Sequence, residues 1–62
     1  MNYTWELVDR NNRRIAFVDP KNLIPIRPLE ALEGRRVILS GTLSESEDGK
    51  DILIVARQIV SQ

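Results

Sequence analysis

Alternation of apolar and polar residues predicts strands at the start of the chain. Residues 3–9 place Tyr3, Trp5 and Leu7 on one side and polar residues largely on the other, the two-residue period of a half-buried strand. Residues 9–12 carry Asp and Asn, which favour turns. A second apolar stretch follows at residues 14–18. The two stretches therefore predict a β-hairpin.

Prolines limit the structure of the middle of the chain. Residues 23–27 are rich in branched side chains, but Pro25 removes a backbone donor and restricts this third strand to an edge or an irregular segment. Residues 28–34 begin with proline and end with glycine, which predicts one or two helical turns. Leu29 and Leu32 share one face of this short helix and must dock on the rest of the chain.

A second hairpin is predicted in the C-terminal half. Residues 36–44 alternate, and Gly41 in mid-strand predicts a bulge or a bend. The Asp48-Gly49 pair predicts a turn before the last strand, residues 51–60. Two hairpins around a helical turn cannot bury their apolar faces as a flat sheet. The expected fold class is mainly β: a five-stranded small barrel with one short helical turn between strands three and four.

Size and composition restrict the function. The 62 residues allow one domain, residues 1–62, with a single small core. The absence of cysteine and histidine excludes disulfides, thiolate metal sites and catalysis by a Ser/His or Cys/His pair. The glycines lie too far apart for a phosphate-binding loop, and the acidic residues 45–51 lack the spacing of a calcium loop. We therefore expect no enzyme activity, no cofactor, no metal and no small-molecule substrate.

Targeting signals are not evident. The N-terminus has neither a basic start nor an apolar stretch, which argues against a secretory signal. The longest apolar run, residues 52–56, is far too short to span a bilayer. A cytoplasmic location is the default expectation.

Several stretches resemble known small barrels. Residues 32–43, followed by an acidic turn and residues 51–55, resemble the Gly-x-x-Val-x-Leu-x-Gly-x-Leu hairpin of OB-fold barrels. Residues 5–9 and 15–20 are similar to bacterial small-barrel modules of the Src-homology type. The resemblance implies a small binding barrel and transfers no activity. The segment before the fourth strand is shorter than the usual OB-fold helix, which leaves the choice of barrel type open.

Apolar residues on both sides of several strands support a first functional hypothesis. A half-buried strand in a monomer carries polar residues on one side, so the second face needs a cover. Three elements can provide this cover: the helical turn, the segment of residues 23–26, or another protein chain. We expect a non-enzymatic module that binds a protein partner, or its own copies, through an apolar face flanked by arginines. The candidate interface residues are Ala16, Val18, Ile38, Leu53 and Val55.

A second hypothesis is a barrel that binds single-stranded nucleic acid. Aromatic rings that stack on bases, rimmed by arginines that bind phosphates, form such a surface. Its candidates are Tyr3, Trp5, Phe17, Arg10, Arg13, Arg14 and Arg27. The net charge of zero argues against it, although residues 10–36 carry a net +4 and residues 44–51 a net −3. A third alternative is a designed or excised minimal barrel without a native ligand.

Overall fold

Two hairpins and a 3₁₀ turn make up the fold in a computed structural model that describes residues 3–62. The strands are β1 (Trp5–Val8), β2 (Arg14–Asp19), β3 (Val37–Glu45) and β4 (Ile52–Ser61). The 3₁₀ turn spans Leu29–Leu32, between β2 and β3. The molecule is flat, with extents of 30 × 27 × 17 Å.

The first hairpin forms because Asp9 organises its turn. The Asp9 carboxylate accepts hydrogen bonds from the backbone N–H groups of Asn11 (2.8 Å) and Arg13 (3.0 Å). Asn12 adopts a φ of 63°, a conformation that asparagine tolerates. β1 and β2 then pair antiparallel, with Trp5 opposite Val18. Residues 9–12 therefore form the turn that the sequence predicts.

The second hairpin contains a bulge at the predicted glycine. Ser40 pairs with Gln58 and Gly41 with Ala56, which leaves Arg57 as the extra residue on β4. A Cβ at Gly41 would overlap the carbonyl oxygen of Val55, so only glycine fits this close approach of the two strands. The bulge bends β3 and β4 together and curves the sheet.

The predicted five-stranded barrel is not confirmed, because residues 3–62 form one four-stranded sheet that does not close. The order is β1-β2-β4-β3, with β2 and β4 parallel and the other pairs antiparallel. β1 and β3 are its two edges. The parallel pairing of β2 with β4 is three residues long: Phe17–Leu53, Val18–Ile54 and Asp19–Val55.

The predicted third strand, residues 23–27, is an irregular segment. Its Ile24 N–H donates to the carbonyl of Arg57 (2.9 Å), and the Arg27 guanidinium donates to the carbonyl of Ile59 (3.2 Å). Pro25 cannot donate to a ladder, so the segment makes isolated bonds instead of a strand. It satisfies the edge of β4 beyond the point where β2 ends.

The core lies toward one end of the sheet, on the face that carries Trp5 and Val18, here called the core face. The 3₁₀ turn docks on it through Leu29, as the sequence predicts. The buried cluster comprises Val18, Leu23, Leu29, Ala56 and Ile59, with Trp5, Leu7, Leu32, Val37 and Leu39 packed against it. Large apolar side chains stay exposed at the other end of the sheet, at Val8, Ile15, Leu43 and Ile52, and also at Ile38 and Val60, on the face opposite the core.

Within residues 3–62, the structure has no helix with the length and apolar character needed to traverse a bilayer.

Candidate binding groove

The five candidate interface residues do not share one exposed surface. Ala16, Val18 and Leu53 are buried, and Val55 is half-buried. Ile38 is the one open member, with 53% of its surface exposed. Ala16 and Val18 lie on the core face, whereas Leu53 lies beside Phe17 on the opposite face. The chain itself therefore covers most of the apolar surface that the sequence left to a partner.

Tyr3, Phe17 and Arg14 of the predicted nucleic-acid surface do come together. The rings of Tyr3 and Phe17 lie with centroids 5.0 Å apart, and the Arg14 guanidinium carbon lies 4.4 Å from the centre of the Phe17 ring. Arg14 also donates to Asp51 (2.9 Å) and Glu6 (3.2 Å). These hydrogen bonds, first to Asp51 and then to Glu6, raise the pKa of Arg14. The Arg14 guanidinium thus already contacts two carboxylates and the Phe17 ring within the chain.

The remaining members of that set lie elsewhere. Trp5 pairs with Val18 and packs against the core, whereas Phe17 pairs with Glu6 on the opposite face. Tyr3 precedes β1, which begins at Trp5, so the expected alternation does not extend to it. Arg10 and Arg13 belong to the first hairpin turn, and Arg27 binds the Ile59 carbonyl. The aromatic residues therefore do not form a single stacking platform.

An open groove of about 850 Å³ separates the two edge strands. β1 forms one wall and the start of β3 forms the other, because the sheet curls without closing. The charged residues in its lining are Arg10, Arg35 and Arg36 together with Glu6, Asp9 and Glu33. The apolar lining comprises Trp5, Leu7, Val8, Val18, Leu29, Leu32, Val37, Leu39 and Ile59.

This groove is not predicted by the local patterns of the sequence. Its walls come from segments about thirty residues apart along the chain, and only the order of strands in the sheet brings them opposite each other. A signal was present in the charges: the eight residues from Val37 to Ser44 contain no charged side chain and no proline. Charged side chains and prolines usually protect an edge strand against pairing with another chain, so their absence indicates an edge that is open to pairing.

The edges of the sheet differ in length. β1 has four residues, and a short edge offers little for another strand to pair with. β3 has nine, and within residues 3–62 no strand pairs with its outer edge. β3 therefore presents the longer row of free backbone donors and acceptors.

A second concavity of about 700 Å³ lies between residues 21–26 and the strands at Thr42, Val55 and Arg57. Its outer lip is apolar: Ile26 has 90% of its surface exposed. It lies beside the irregular segment, where the Ile24 N–H already donates to the Arg57 carbonyl of β4.

The acidic tip of the second hairpin is organised by Ser46, which is buried. The Ser46 hydroxyl donates to the Asp48 carboxylate (2.6 Å) and accepts from the Asp51 N–H (3.1 Å). The bond from Ser46, followed by one from the Lys50 N–H, lowers the pKa of Asp48. Throughout the described part of the chain, no three His, Cys, Asp or Glu side chains lie close enough to hold a metal ion.

Comparisons with known proteins give no match for this chain, whether against family models, curated proteins or solved structures.

Proposed function

We propose that this chain is a non-enzymatic binding module that takes an extended segment of another protein chain in the groove between β1 and β3. The observation that supports this most directly is the open seam of the sheet, where an apolar groove runs beside the unpaired edge of β3.

An added strand suits this groove because it offers two kinds of contact. Backbone groups of the incoming segment pair with the free edge of β3, and its alternate side chains point into the groove. The groove presents apolar side chains, including Trp5, Leu7 and Leu39, to those residues. Each buried apolar side chain contributes about 1.5–3 kcal/mol before the entropy of association is subtracted.

The rim favours a segment with acidic residues. Arg10, Arg35 and Arg36 line the groove together with Glu33 and Glu6, and the Glu6 carboxylate is already paired with Arg14 (3.2 Å). Asp9 also lines it, but its carboxylate already accepts two backbone hydrogen bonds. An apolar segment flanked by Asp or Glu therefore matches both the lining and the charge of the groove.

Selection of peptides tests the proposal. We would select a phage-displayed library of unstructured 12-residue peptides against the immobilised chain and titrate the recovered peptides while following Trp5 fluorescence. We expect sequences that alternate apolar residues beside acids, with a blue shift of Trp5 emission on binding. Arg35→Glu should weaken their binding at least tenfold. Arg13→Glu, which changes an arginine outside the groove, is the matched control and should leave binding unchanged.

Failure of the selection against chain that sediments as a monomer, or peptides that bind without any change at Trp5, would contradict the proposal. Titration with labelled single-stranded DNA and RNA at low and moderate salt addresses the nucleic-acid alternative. We expect neither quenching of Trp5 nor salt-dependent binding, because Arg14 and Arg27 are already engaged within the chain. Tight, salt-dependent binding of either nucleic acid would favour the alternative.

A further inference from the structure

We infer that the segment taken up by the groove is the C-terminal half of β3 of a second copy of this chain. The inference rests on the proposed function and specifies the occupant. In the resulting dimer, the two β3 strands pair antiparallel about a twofold axis near Ser40. Residues 41–45 of each copy then lie along residues 35–39 of the other.

The C-terminal end of β3 is suited to occupy the groove of a second copy. Leu43 pairs with Ile54 and therefore lies on the core face, yet 71% of its surface is exposed. Val37 and Leu39, at the other end of the same strand, line the groove. One strand thus carries both an uncovered apolar residue and a wall of the groove that could cover it.

The register follows from the alternation of the strand. Residues that pair across antiparallel strands point to the same face of the sheet, and side chains alternate between faces along a strand. In a twofold pair, each residue therefore pairs with a residue an even number of positions away in the sequence. Centring the axis on Ser40 places Val37 opposite Leu43 of the second copy. It also places Arg35 opposite Glu45 of the second copy. The exposed Leu43 of each copy then meets an apolar residue of the other.

Charges at the two ends of β3 favour the antiparallel arrangement. Arg35 and Arg36 precede the strand, Glu45 ends it, and the residues between are uncharged. Antiparallel pairing brings the arginines of one copy against Glu45 of the other. Parallel pairing would instead put arginine beside arginine and glutamate beside glutamate, which opposes association.

The chain exposes more surface than a compact monomer of its mass. The chain exposes 4980 Å², whereas a compact monomer of 7.1 kDa exposes roughly 4,100 Å². The excess, about 900 Å², is close to the roughly 800 Å² that each partner contributes to an interface of standard size. Exposed apolar residues of β3, Ile38 and Leu43, contribute to this excess, as do residues outside the strand such as Ile26.

Sedimentation velocity of the purified chain over a concentration series tests the inference. We expect a species of twice the monomer mass. Leu43→Lys should weaken dimerisation at least tenfold, since it buries a charge against Val37. Ile26→Lys replaces an even more exposed apolar residue that lies outside the strands and should leave dimerisation unchanged. Circular dichroism confirms that both variants fold.

Charge reversal tests the pairing of Arg35 with Glu45. Arg35→Glu should weaken the dimer, because it places two glutamates opposite each other. Adding Glu45→Arg to the same chain restores opposite charges and should recover most of the lost affinity. Loss without recovery would contradict the antiparallel register.

Disulfide trapping tests the position of the axis, since the chain has no cysteine of its own. Ser40→Cys places two thiols across the axis, where paired Cα atoms lie about 4.5–5.5 Å apart, within reach of a disulfide. Ser44→Cys lies on the same strand and the same face, but its copies would be roughly 27 Å apart, from about 3.4 Å per residue. We expect rapid oxidation to a covalent dimer for Ser40→Cys only.

A chain that stays monomeric at millimolar concentration overturns the inference, as does a dimer that Leu43→Lys leaves intact or equal cross-linking of both cysteine variants. If the monomeric chain still binds the selected peptides, only the second copy as occupant is refuted. If it binds neither, the proposed function fails as well.

Discussion

Gly41→Ala is the substitution whose effect follows most directly from the geometry. The added Cβ would overlap the carbonyl oxygen of Val55 and lie 3.0 Å from the Cα of Ala56. These neighbours are backbone atoms of β4, so no side chain can rotate away to make room. The two strands must separate at the bulge, and the hydrogen bonds beside it must lengthen.

The expected loss is a large share of the stability. Overpacking costs about 1–3 kcal/mol, and a weakened backbone hydrogen bond costs about 1 kcal/mol. We expect the free energy of unfolding to fall by about 3 kcal/mol. A chain of this length has roughly 3–9 kcal/mol in all. The melting temperature should fall by about 12–24 °C.

Urea denaturation followed by Trp5 fluorescence and by circular dichroism measures this loss. Gly34→Ala is the matched control: Gly34 has a φ of 74° but no atom within 4 Å of the added Cβ. That variant should lose only about 1 kcal/mol from backbone strain. If Gly41→Ala is no less stable than Gly34→Ala, the close approach of β3 and β4 is not what requires glycine.

Three further predictions concern the core, the ion pairs and the acidic tip. Leu29→Ala should lower the free energy of unfolding by about 2–3 kcal/mol in urea denaturation, because it empties part of the small core; an unchanged midpoint would contradict the docking of the 3₁₀ turn. Arg14→Met should lower the melting temperature more at low salt than at molar salt, since its exposed ion pairs are screened; a loss that does not depend on salt would argue against those pairs. The Asp48 pKa is lowered in the folded state, so its carboxylate stabilises the fold above the ordinary Asp pKa of about 3.9 and the contribution is lost as the pH falls through the folded value. An NMR titration should show that Ser46→Ala raises the Asp48 pKa, and an unshifted value would mean that the Ser46 hydroxyl is not its main partner.

Local patterns predicted much of the secondary structure. Alternation located both hairpins, Asp9 and Asp48-Gly49 located their turns, and Gly41 located the bulge. These features depend on neighbours along the chain, so the sequence carries their signal directly. The short helical turn with Leu29 docked inward follows in the same way from its proline start and glycine end.

The irregular segment shows where local patterns leave a choice open. Residues 23–27 have the composition of a strand, yet they make isolated bonds to Arg57 and Ile59. Whether a proline-containing stretch pairs as a strand depends on the edge available to it. Here β2 already occupies the first part of the β4 edge, from Leu53 to Val55.

The sequence by itself determined that this is a small β protein with two hairpins, because strand period and turn chemistry are properties of neighbouring residues. Only the tertiary structure decided which apolar residues are covered. Alternation assigns Ala16, Leu43 and Leu53 to faces of strands but does not say what packs on each face. The strand order buries Ala16 and Leu53, leaves Leu43 exposed and opens the groove, since contacts between distant segments depend on how the sheet curls and where it stops.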